Sequence, residues 1–241
     1  MISVSILPTT AQELARAVSE TEYKRLLSLP RSRALQGDLF NRANEARDWY
    51  AAHGNPFVAA TRIEITDISN TAILLANGSS FHSATLIERL RTGEAHGLIA
   101  LAATAGKEVA EEVTKHWTEG RPDEAFFLDR FATAVTEQLI HWSAVFLCRE
   151  IEPLQETVLP HLSPGCADWD LSEQHTLMGL FRSGTNLGPI ELLPSAALRP
   201  QNSVLAAMGV THRNFSGPAK NICTICDLQS CGFRRAPYAK S

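Results

Sequence analysis

The stretch Gly97–Thr104, Gly-Leu-Ile-Ala-Leu-Ala-Ala-Thr, places the tightest constraint on the fold, because its interior is one unbroken run of small apolar residues. Alternation would mark a strand with one wet face; a continuous run marks a strand buried on both. Gly106 closes it, and Lys107 to Thr118 reads as a helix. The longest element is expected from Asp123 to about Glu150, where Leu128, Phe131, Val135, Leu139, Trp142 and Phe146 recur every three or four residues as the stripe of a core helix. A second strip on that helix carries Arg130, Thr133, Glu137 and His141 at the same spacing. Pattern alone reads it as a solvated face with an Arg-to-Glu pair.

Upstream, Ile2 to Leu7 alternates weakly as a short strand, and Thr10-Ala-Gln-Glu13 has the form of a capping box that starts a helix near Ala11 and carries it to about Leu27. A second helix is expected from about Arg33 to Ala52. Phe57 to Ile68 alternates as a strand, Thr71 to Ala76 follows as another, and Asn77-Gly-Ser-Ser80 breaks the run and offers caps for a helix over His82 to Arg91. Downstream, Asp170-Leu-Ser-Glu173 is a further capping box opening a helix to about Phe181, and Ile190 to Leu193 and Val204 to Val210 read as strands. Strands interspersed with helices, without regular β-α-β spacing, predict an α+β fold with a mixed or antiparallel twisted sheet and flanking helices. The expected layout is an N-terminal helical layer with the first strands over 1–80, a core over 81–210 that forms one domain with it, and a tail over 211–241.

The charge of −4, with both signs interspersed, argues against a nucleic-acid surface, which would carry a basic stripe. No stretch is apolar for long enough to span a bilayer, and Met1 to Leu7 lacks the basic region of a secretory signal, so a cytoplasmic protein is expected. No G-x-S-x-G elbow or Cys and His signature announces a nucleophile.

Two constellations carry chemistry. The first is the break His161-Leu-Ser-Pro-Gly-Cys-Ala-Asp-Trp-Asp170, where Pro164-Gly165 cannot continue a helix and Gly165 admits close backbone approach. Read alone, it is a structural corner. The second is Cys223-x2-Cys226-x4-Cys231, three of the chain's five cysteines. Thiolates so spaced can converge on an iron–sulfur cluster or on zinc. A fourth position is left open, which His212, Cys166 or Cys148 can fill for zinc and either cysteine for a cluster.

Val135-Thr-Glu137-Gln-Leu-Ile-His141, Ser163-Pro-Gly165, Asp168-Trp-Asp170-Leu-Ser-Glu-Gln174, and Ile190-Glu-Leu-Leu-Pro through Leu198-Arg-Pro200-Gln-Asn-Ser203-Val204 together resemble one family. It is the S-adenosylmethionine-binding activation domain of cobalamin-dependent methionine synthase, in particular its stand-alone relatives, and the resemblance spans roughly Ser80 to Val210. It implies an α+β domain that binds S-adenosylmethionine beside a corrinoid-binding methyltransferase, so that reduced cobalamin is remethylated. It also implies that Glu137 contacts the ligand and lines one cleft with His161, Ser163, Pro164, Gly165 and Cys166. His161 stands where the family pattern has arginine, and Cys166 where it has tyrosine. An imidazole lacks the bidentate fork of a guanidinium, and a thiol lacks an aromatic face. The cysteine tail resembles an addition found on some stand-alone relatives, where a cluster would deliver an electron to the corrinoid partner. The competing expectation is a binding module of the same fold with a structural zinc knuckle, and a weaker one is a methyltransferase acting on another substrate.

Overall fold

A computed structural model describes residues 3–5, 9–30, 32–181 and 185–212. After β1 (Ser3–Ser5) comes α1 (Ala11–Ala17), started by the reciprocal box in which Glu13 N–H donates to Thr10 Oγ1 and Thr10 N–H to Glu13 Oε2. The helix expected to run to Leu27 is two helices. Val18 turns extended, Ser19 accepts from Glu22 N–H, and α2 (Glu20–Leu26) starts afresh. The guanidinium of Arg47 donates to the carbonyls of Ala15 and Val18, which answers the open end of α1 from outside. Arg47 belongs to α3 (Asp38–His53), which begins at Asp38 and not at Arg33, behind Gly37 at φ +56°.

Strands β2 (Phe57–Ile68), β3 (Ile73–Leu75) and β4 (Ser80–Phe81) follow. The Asn77–Ser80 stretch caps no helix: Ser80 and Phe81 pair with β3, and Ser83 caps α4 (Ala84–Thr92) by accepting from Leu86 N–H. Next come β5 (Gly97–Thr104), α5 (Lys107–Thr118) and the long α6 (Pro122–Ile151), with proline in its first turn, where no amide hydrogen is needed. The chain ends its described course with β6 (Glu156–Val158), a 3-10 turn at Leu171–Glu173 leading into α7 (Gln174–Gly179), the hairpin strands β7 (Glu191–Leu192) and β8 (Leu198–Arg199), and β9 (Ser203–His212).

The main sheet runs β4-β3-β2-β5-β9-β6, with β1 also on β2, and every pairing is antiparallel. Strands from the first eighty residues therefore share one sheet with those that follow. All eight residues of β5 are buried, and its alternate side chains enter two different cores. Ile99, Leu101 and Ala103 join Ala206, Met208 and Val210 of β9 against α1, α2, α3 and the Leu128–Phe131–Val135–Leu139 stripe of α6. Leu98, Ala100 and Ala102 join Leu205 and Ala207 against Phe81, Leu86, Leu90, Leu162, Trp169 and Leu177. The first may be termed the long-helix face and the second the turn face. Among the described residues no helix is long and apolar enough to cross a membrane.

Candidate functional site

Beyond β6 the chain stays on the turn face, where Leu162 and Ala207 exchange both backbone hydrogen bonds, at 2.9 and 2.8 Å. It then folds into the Ser163–Cys166 turn. Cys166 N–H donates to Ser163 O at 3.0 Å, Gly165 N–H to Trp169 O at 2.7 Å, and Trp169 N–H to Cys166 O at 3.1 Å. Gly165 has φ +86°, a value a side chain resists, and a Cβ there would stand 3.2 Å from Leu171 Cδ1. Pro164 is buried, while Gly165 and Cys166 are exposed at the crest.

Both ends of α4 hold this turn. At the N-terminus, Asp168 accepts from Ala84 N–H at 2.5 Å, from Thr85 N–H at 3.1 Å and from Ser83 Oγ at 3.2 Å, satisfying amides the helix cannot pair. Burial pushes the Asp168 carboxyl up, but the hydrogen bonds from Thr85 and Ala84 outweigh it and leave it below its usual range. Near the C-terminal end, Arg89 Nη1 donates to the carbonyls of Pro160 and His161, each at 2.9 Å. Beneath the turn, Trp169 is buried edge-to-face on Phe81 at 5.4 Å, and its indole N–H donates to Glu173 at 2.5 Å. Glu173 also accepts from His82 N–H at 3.1 Å. The expected Asp170–Glu173 box is thus half formed: Asp170 accepts from Ser172 N–H, and Glu173 is taken by the indole and by His82.

Glu137 is elsewhere. It lies on α6, on the long-helix face, where Arg25 Nη2 of α2 meets its Oε2 at 2.5 Å while also reaching Glu22. A single cleft lined by Glu137 and the Ser163–Cys166 turn does not form, because the two pack against opposite faces of the sheet. The rest of the polar strip is not a solvated face either. Asn202 Nδ2 donates to Asp129 O and to Thr133 Oγ1, each at 3.2 Å, and Thr136 Oγ1 donates to Asn202 O at 3.0 Å, which locks α6 to the entry of β9. Arg130 lies over the Phe126 ring at 5.3 Å, and His141 is exposed.

Cys223, Cys226 and Cys231 lie outside the described residues. Of the three side chains named as a fourth ligand, Cys148 sits on α6, 3.4 Å from Thr157 Oγ1, and Cys166 is exposed on the turn. His212, at the end of β9, stacks on His96 with ring centroids 4.8 Å apart. Beside that pair, Glu156 takes a bidentate grip from Arg62 and a 2.7 Å contact from His96 Nε2. The Arg62 hydrogen bonds, ahead of the His96 contact and against burial, hold the Glu156 carboxyl down at about 2. Among the described residues no three His, Cys, Asp or Glu side chains are grouped to hold a metal ion. The sequence reading missed the Arg62–His96–Glu156–His212 cluster and the Asp168 and Arg89 straps, since their members come from separate elements with no local spacing to signal them.

The fold is shared with a solved domain. The reactivation domain of MetH bound to AdoHcy superposes with a TM-score of 0.66, covering 90% of this chain and 80% of that chain at 16% sequence identity. No family model matches the chain, and no curated protein does. At that identity the likeness establishes the architecture, an α+β domain whose antiparallel sheet is flanked by helices as in the MetH reactivation domain.

Proposed function

We propose that the chain is an accessory factor for a corrinoid-dependent methyltransferase in the cytoplasm, binding an S-adenosyl ligand on its turn face and helping to restore the partner's cobalamin to its active state. The observation that carries this reading is the likeness, over 90% of the chain, to a reactivation domain solved with AdoHcy. The turn supports it. Gly165 offers open backbone at an exposed crest, with Ser163 and Cys166 beside it, and the Asp168 and Arg89 straps fix that crest before any ligand arrives, so little ordering entropy opposes binding. Pro164 sets the path of the turn, and the His161 carbonyl serves as its anchor. S-adenosylmethionine would supply the methyl group, and the cobalamin belongs to the partner.

The Cys223, Cys226 and Cys231 loop is proposed to hold an iron–sulfur cluster that delivers an electron to the partner, or else zinc; its support is the spacing alone. Iron, zinc and acid-labile sulfide content of anaerobically purified protein decides between them. A second reading, a binding module without methyl transfer, is favoured by one observation: Arg25 already occupies Glu137, the carboxylate implied as a ligand contact. Calorimetric titration with AdoHcy and S-adenosylmethionine separates the two. Saturable heat supports the adenosyl reading, and methylation of cob(II)alamin under reduction in the presence of a corrinoid protein completes it. Absence of heat at millimolar ligand leaves the binding module.

A further inference from the structure

Two buried polar atoms associated with the turn face, Gln174 Oε1 and Ser203 Oγ, have no hydrogen-bond partner among the described residues. Gln174 is only 7% exposed and shares the buried stripe of α7 with Leu177 and, four residues further on, Phe181. Leucine or methionine would fill that position at no polar cost, whereas a carbonyl left unpaired in an apolar layer is a net loss. Ser203 opens β9 directly opposite Thr104, which in turn stands opposite Phe57, and residues directly opposite in antiparallel strands share a face. Phe57 packs with the turn-face core, so the row belongs to that side. The Thr104 hydroxyl is spent on Asn202 O and Gly106 N–H; that of Ser203 is not. Gly188 lies so close over the Phe57 ring that a Cβ there would fall 2.6 Å from it, which roofs this rim of the sheet.

An aromatic ring, an unspent hydroxyl and an unspent amide oxygen on one side of the sheet form a recognition set for a planar nitrogen heterocycle with an exocyclic amine. The amide oxygen accepts an amine hydrogen, the hydroxyl donates to a ring nitrogen, and the ring supplies apolar contact. We infer that Gln174 and Ser203 read the 6-aminopurine of an adenosyl ligand bound on the turn face. The inference rests on the adenosyl reading above and assigns to it two specificity-determining residues.

The test is calorimetric titration of the full chain with S-adenosylhomocysteine and with S-inosylhomocysteine, in which oxygen replaces the 6-amino group. Wild type is expected to prefer the adenosyl compound by about tenfold or more, since an acceptor built for an amine is opposed by the oxo group. In Gln174→Leu the preference falls to about one, while the ligand-free melting temperature holds or rises by roughly 2–4 °C because the unpaired carbonyl is gone. Ser203→Ala, which removes one oxygen and spares the fold, is expected to weaken S-adenosylhomocysteine severalfold. If Gln174→Leu melts lower and keeps the wild-type preference, the amide is serving a buried water and the inference is overturned. Equal affinity of wild type for both compounds overturns it as well while leaving the adenosyl reading standing, and no binding of either compound ends both.

Discussion

The two faces of the sheet are built on different principles. On the long-helix face, a thirty-residue helix and three others bury large rings in mutual edge contact, with Tyr23 and Tyr50 packed on Phe131 at 5.1 and 5.8 Å. The hydroxyls of both tyrosines are satisfied by backbone carbonyls, those of Phe127 and Ala105, and burial raises both phenols. The turn face has short helices and a two-residue hairpin, held by a few carboxylates and one arginine, and it leaves Gln174 and Ser203 unpaired. One face is organised to be stable. The other gives up some stability to keep polar groups and open backbone available, as binding surfaces do.

That division can be broken, and the largest effect comes first. Phe131→Ala should cost about 3–5 kcal/mol of stability, read as a large drop in denaturation midpoint, because a fully buried ring leaves a cavity among aromatic neighbours. The affinity of the remaining folded protein for AdoHcy should not change, and a parallel fall in affinity would show that the faces are not separable. Asp168→Ala should cost roughly 1–2 kcal/mol by uncapping α4. It should also weaken AdoHcy and speed amide exchange at Ala84 and Thr85; a lost cap with undiminished affinity would detach the turn from the ligand.

Glu137→Ala sharpens the comparison from the other side. Removing the partner of Arg25 should cost about 1 kcal/mol or less, since Glu22 still holds that guanidinium, and leave ligand affinity intact. Weaker binding at unchanged stability would return Glu137 to the ligand. The smallest effect is electrostatic. Because the Glu156 carboxyl is held at about 2 in the folded chain against an ordinary 4.5, its contribution to stability is fully present above pH 4.5 and drains away as pH falls toward 2. Glu156→Gln should remove that part of the slope of melting temperature against pH in this window, and an unaltered slope would mean that the Arg62 grip is not maintained in solution.

Much of the framework was legible because it is written locally. The β2, β5 and α5 bounds follow from alternation, an apolar run and flanking glycine, each a signal contained within a few residues. The Thr10 box was legible for the same reason. The division of α1 from α2 was not, since Arg47, which answers the end of α1, is distant in sequence. At the candidate site, Pro164-Gly165 could be read as a corner. That the corner is strapped to α4 could not, because nothing near Asp168 distinguishes a cap for its own helix from a cap for another. Glu137 taught the opposite lesson: a carboxylate on a polar strip looked available for a ligand until α2 brought Arg25 to it.

The sequence by itself determined the α+β class, the doubly buried strand, the long core helix and the turn, since hydrophobic periodicity and turn chemistry act between residues a few positions apart. Tertiary structure decided which carboxylate meets which partner: Arg25 with Glu137 across 112 positions, Asp168 with Thr85 across 83, Arg62 with Glu156 across 94. It thereby separated Glu137 from the turn and left Gln174 unpaired. Charges and hydrogen-bonding groups pair with whatever the packed elements bring within about 3 Å, and that choice is made only when the sheet has closed and its two faces have been assigned.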